Sequence, residues 1–195
     1  MKKSFLIILP LLLLLTACKK EVIDIPQPVP PHPAMTYKDL HNAEVFQTSP
    51  QAVDMDNDGI TDVSFGVLLV GDPILQRDRI QYFAFSKVKR NLLNDANDES
   101  PVLNQMDPVK LIHPGYQWFE ISMIVLAEKL VTNNGNTWAG KWQNASHKYL
   151  PVQVEKNGNV YNGWIELSMD IQHEKLIIHR SGLSSEAGRE VKAGY

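Results

Sequence analysis

The residues best suited to chemistry form one short run, D-M-D-N-D-G-I-T-D, from Asp54 to Asp62. Asp54, Asp56 and Asp58 alternate, so their carboxylates can converge on one point. Gly59 permits a sharp turn, Ile60 can offer its backbone carbonyl, and Asp62 closes the loop. Neighbouring carboxylates repel by roughly 1 kcal/mol at near-contact distance in water, and a divalent cation reverses that sign. Calcium accepts about six to eight hard oxygens in flexible geometry, so it suits this set better than magnesium with its strict octahedron. The competing reading is a solvated acidic turn without an ion. In a helix–loop–helix calcium hand the last loop position calls for a bidentate Glu. Phe65 stands there, which argues against that architecture.

A second chemical residue is Cys18, the sole cysteine. Lys2 and Lys3 precede an apolar run from Phe5 to Leu15, which ends in L-T-A-C; this reads as an export signal too short to span a membrane stably. The ending resembles the bacterial lipobox, which implies cleavage after residue 17 and acylation of Cys18. A plain secretory signal or an uncleaved anchor is the alternative. With no second cysteine, an internal disulfide is impossible. Loss of residues 1–17 would move the formal charge from −3 to −5, a mildly acidic balance unsuited to nucleic acid. Lys19, directly after the lipidated position, leans towards an outer-membrane address in the cell envelope. Pro26, Pro28, Pro30, Pro31 and Pro33 then make residues 18–35 a semi-rigid tether.

Elsewhere the chemistry is sparse. His173, Glu174 and His179 lack the spacing of a zinc site and read as surface residues on a hairpin. No G-x-S-x-G elbow occurs, and a thiol nucleophile is ruled out in the folded part. Trp138 and Trp142, set among asparagines, could stack on a sugar or another planar ligand. Pinning a long loop to the domain is the plainer role, and it is the one favoured here. Trp164 likewise reads as packing.

The elements that must position these residues are strands. Val63 to Val70 alternates directly after the acidic loop, and Arg79 to Lys89 alternates again. Tyr37 to Leu40 reads as a lead-in, and Glu44 to Val53 as a strand limited by Pro50. Asn91 to Asp107 reads as a loop. Trp118 to Leu130 admits strand or short helix, with strand preferred, and Asn133 to Asn144 reads as a Gly- and Asn-rich loop. Leu150 to Glu155 and Val160 to Met169 flank Asn157-Gly158, the signature of a type I′ hairpin. That turn sets Val154 opposite Tyr161, Val152 opposite Gly163 and Leu150 opposite Ile165. Leu176 to His179 forms a last strand. Residues 36–195 thus predict a single all-β domain, an antiparallel jelly-roll-like sandwich with little helix apart from the signal segment; a barrel is the alternative.

The D-x-D-x-D-G-x-x-D loop with its following strand, Y-N-G-W-I-E-L from Tyr161, L-I-I-H from Leu176 and the closing A-G-Y together resemble an uncharacterised group of exported bacterial proteins and lipoproteins. The resemblance spans most of residues 45–195, departs where Asn162 separates Tyr161 from Gly163, and implies no particular activity. The acidic loop is also similar to those of integrin-like propellers, but one copy cannot build a propeller. The expected function is a calcium-stabilised, non-enzymatic module on a lipid anchor at Cys18, binding glycan or protein. The alternative is a hydrolase of exported polymers on the same scaffold.

Overall fold

Alternating apolar residues punctuated by turn residues give an all-β structure. The computed structural model describes residues 32–195, and among them are thirteen strands and no helix. The signal segment, Cys18 and the tether before His32 lie outside the described residues. One antiparallel sheet has six strands, in the order β1 (Met35–Val45), β12 (Lys175–Ser184), β11 (Asn159–Asp170), β10 (Lys148–Lys156), β5 (Arg90–Asn94) and β7 (Gln117–Glu120). The other has five, in the order β2 (Gln51–Val53), β3 (Val63–Asp72), β4 (Arg77–Ser86), β8 (Met123–Thr132) and β9 (Gly135–Ala139). A two-stranded ribbon joins β6 (Pro108–Val109) to β13 (Val191–Lys192).

The two large sheets face each other across one core. Leu150, Val152 and Val154 of β10, Ile165 and Leu167 of β11 and Ile178 of β12 pack with Val63 and Phe65 of β3, Tyr82 and Ala84 of β4, and Ile124 and Leu126 of β8. That is the sandwich the alternation dictates, because each strand sends every second side chain inward. The six-stranded sheet is also covered in part on its outer face. There Tyr149 and Trp164 form a second buried cluster with Val109, Val191 and Ala193. Gly182 is required for it: a Cβ at that position would lie 2.7 Å from Trp164 Cζ2. The closing A-G-Y segment therefore caps the sheet.

The hairpin at Asn157-Gly158 has the expected register, with Val154 opposite Tyr161, Val152 opposite Gly163 and Leu150 opposite Ile165, and φ is +51° and +75° at its two turn residues. Other boundaries differ from those the pattern suggests. The chain is attached to the fold from His32, whose ring stacks on Tyr195 and accepts the Lys192 N–H, so the folded part begins before residue 36. The lead-in at Tyr37 is part of a full edge strand, β1, whose alternation is disguised by a bulge at His41 and Asn42, both with positive φ. Pro50 lies in the corner between β1 and β2 rather than within one strand. The expected loop from Asn91 contains β5, in which Leu92 and Leu93 are both fully buried between flanking polar residues. Trp118 to Leu130 is strand, broken at Ile121, where φ is +52°. The Asn133 loop is a tight hairpin turn followed by β9.

Candidate functional site

The acidic loop runs from the end of β2 to the start of β3. Oxygens of Asp54, Asp56 and Asp58 lie within 4.8 Å of one another, so these three could hold a metal ion. The loop is shaped by its own side chains: Asp54 accepts the Gly59 N–H at 3.1 Å, Asp56 the Asp58 N–H at 3.1 Å, and Asp58 the Ile60 N–H at 2.7 Å. The Ile60 side chain points to solvent. Asp54 Oδ1 is buried and has no hydrogen-bond partner, an orphaned acceptor. Two cations reach the rim. Lys156 pairs with Asp56, and the Arg90 guanidinium stands 3.4 Å from Asp58. Burial alone would lift the Asp56 carboxyl, but the hydrogen bond from Lys156 leads the contacts that hold it below the ordinary value.

Asp62 stands apart from this cluster. It is fully buried beneath the loop, accepts the Met55 N–H at 2.6 Å, and is paired with Arg90 of β5. Its backbone bridges β2 and the end of β4 through Val53 and Lys87. Burial pushes the Asp62 carboxyl up, while the Met55 amide and Arg90 pull against it. Asp62 thus closes the loop as expected, but through an arginine. The reason is position: as the last residue before β3, it points under the turn instead of into it.

Of the two tryptophans only Trp138 keeps appreciable exposure. Trp142 is 1 % exposed and donates its indole N–H to the Ser100 carbonyl at 3.4 Å. Trp138 is half-buried against Tyr82, with ring centroids 5.8 Å apart. His173 bonds Asp170 within its own turn, and Glu174 pairs with Lys129, so neither joins His179.

A second constellation lies on the outer face of β1, β12 and β11. Asp39, Arg180 and Glu166 are successive cross-strand partners. Glu166, only 5 % exposed, takes Arg180 Nε at 2.6 Å on one oxygen and His147 Nδ1 at 2.7 Å on the other. Burial alone would lift its pKa, but the bonds from Arg180 and His147 hold it below the ordinary carboxylate value. His147 stacks on His179 at 4.2 Å. His179 in turn lies 2.8 Å from Ser168 Oγ and 2.6 Å from Asn42 Oδ1. His179 is the extra residue of a bulge in β12, opposite the bulge at His41 and Asn42 in β1, and the paired bulges turn both side chains towards the same groove. The groove encloses about 430 Å³ and includes Tyr37, Asp39, Asn42, His147, Glu166 and Arg180 among its walls.

Lys38 connects the two places. Between Tyr37 and Asp39 on β1 it faces the opposite way, and its ammonium donates to the Asp54 carbonyl at 2.7 Å. Sequence reasoning missed the groove because its residues come from distant segments with no local spacing. The one local sign is the pair of positive-φ residues His41 and Asn42, which is invisible without coordinates.

No family model, curated protein or solved structure matches this chain.

Proposed function

We propose that this protein is a calcium-stabilised β-sandwich displayed at the cell envelope on a lipid carried by Cys18, and that it binds a glycan or protein ligand without transforming it. The observation that carries the calcium part is the convergence of one oxygen each from Asp54, Asp56 and Asp58 within 4.8 Å, beside the fact that Asp54 Oδ1 is buried without a partner. These three side chains would hold the ion, with the Ile60 carbonyl and waters completing the hard-oxygen set that calcium takes. The ion would supply positive charge at the entry to β3, where Lys156 and Arg90 now stand at the rim. Its role is structural.

Exported compartments can offer calcium at high levels, so a dissociation constant of about 10⁻⁴ to 10⁻³ M would suffice. At a hundredfold excess, linkage adds about 2.7 kcal/mol to stability. Thermal unfolding of initially metal-free protein, with calcium and with chelator, tests this: calcium should raise the melting temperature by several degrees, and Asp56→Ala with Asp58→Ala should remove the dependence. Identical curves for the unsubstituted protein would return the loop to an ordinary acidic turn.

One observation favours the second reading, a hydrolase of exported polymers. Ser168, His179 and Asn42 form a hydrogen-bonded chain in which the imidazole could accept the serine proton. Ser168 is not among the residues that wall the groove, however, and so is poorly placed to meet a substrate.

A further inference from the structure

We infer that the groove on the outer face of β1, β12 and β11 is the ligand site and that its ligand is a neutral glycan, one pyranose ring lying against Tyr37 with its hydroxyls bonded by Asn42, Asp39 and His147. This deepens the proposed function and rests on its reading of the protein as a binder. Tyr37 is 48 % exposed on an edge strand and lines the groove. A half-exposed tyrosine beside a wall of fixed polar groups suits a sugar, which presents an apolar ring face and a belt of hydroxyls.

The polar wall is preorganised. Glu166 is held from both sides by Arg180 and His147, and His179 is held by Ser168 and Asn42. What this bonding leaves over is suited to hydroxyls. Asn42 uses only Oδ1, His147 only Nδ1 of its ring, and Tyr37 makes no hydrogen bond through its hydroxyl among the described residues. Free donors therefore project from Asn42 Nδ2, and His147 Nε2 is open to a partner. Asp39, bonded to its neighbour His41, keeps acceptor capacity.

Charge decides for a neutral ligand. Arg180 is committed to Glu166 and lies over the Trp164 ring, while the Lys38 ammonium is turned to the Asp54 carbonyl. Among the described residues of the groove, the carboxylates of Asp39 and Glu166 outnumber the Arg180 cation, a balance that disfavours a sulfate or carboxylate. A peptide adding as a strand to β1 is disfavoured too, since the bulge at His41 and Asn42 interrupts the ladder on that edge.

The test is calorimetric titration of the full chain in detergent with neutral hexasaccharides (cellohexaose, xylohexaose, maltohexaose and mannohexaose) and with oligogalacturonate as the anionic control, each with calcium and with chelator. At least one neutral oligosaccharide should bind. Tyr37→Ala should weaken that binding tenfold or more and Asn42→Ala severalfold. Tyr37→Phe should retain most of it, and melting temperatures should be unchanged. Absence of binding across the neutral panel, binding indifferent to Tyr37→Ala, tighter binding of the anionic control, or release of shorter sugars would each overturn the inference. Calcium-dependent melting without sugar binding would leave the structural ion standing while this assignment fell; sugar binding with calcium-independent melting would do the reverse.

Discussion

Two arginine–carboxylate pairs, Arg90 with Asp62 and Arg180 with Glu166, are built from the same chemistry and placed differently. The first is sealed: the side chains are 6 % and 0 % exposed, and Asp62 also takes a backbone N–H. The second is sealed on one side only, with Glu166 buried but 42 % of the Arg180 side chain exposed at a groove. A sealed pair with its bonds satisfied can only hold structure together. A pair open at one end fixes the wall of a cavity and leaves neighbouring donors facing water, where a ligand can use them.

The largest test of this contrast is removal of each arginine. Arg90→Met leaves Asp62 buried without its counter-charge, and should cost about 3–5 kcal/mol. Arg180→Met leaves Glu166 its bond from His147 at the groove and should cost less, about 1–2 kcal/mol. Urea unfolding of the two variants measures both, and equal losses would erase the distinction.

Next in size is the turn shared by both regions. The β10–β11 hairpin carries Lys156, which pairs with Asp56, and Glu166 of the groove, so Gly158 supports both. Gly158→Val forces a β-branched residue to positive φ and should cost about 1–2 kcal/mol. An unchanged unfolding midpoint would show that the register does not depend on this turn.

The smallest expected effect separates the pairs by pH. Burial, then the charges of His147 and Arg180, holds His179 below its ordinary 6.5. The unfolded chain therefore takes up that proton first. The stability contributed is complete above about pH 6.5 and is lost as pH falls towards the folded value. Glu166, held below its ordinary 4.5, acts in the same direction lower down: its contribution is present above that value and lost as pH falls through the folded pKa. Between about pH 7.5 and pH 5.5 the His179 step should lower the melting temperature by about 1–2 °C. His179→Gln should reduce that slope without abolishing it, since burial also depresses His113. A steeper slope in the variant would reverse the assignment.

By itself the sequence determined what is local. The strand after Asp62, the register of the Asn157-Gly158 hairpin and the convergence of Asp54, Asp56 and Asp58 all follow from spacing within a few residues, which fixes geometry before any distant contact forms. Tertiary structure decided what depends on partners. Arg90 falls between the strand expected to end at Lys89 and the loop expected from Asn91, and only packing of β5 between β10 and β7 brings it under Asp62. Trp142 stands in a Gly- and Asn-rich stretch whose spacing leaves open both a ligand platform and the favoured role of pinning the loop, and only the fold buries it. The groove is further still from local spacing: Asp39, Arg180 and Glu166 meet because three strands align in register, and two facing bulges add extra residues to β1 and β12. A bulge displaces side chains by backbone angles that no residue pattern announces, so that site became visible only when the sheet was assembled.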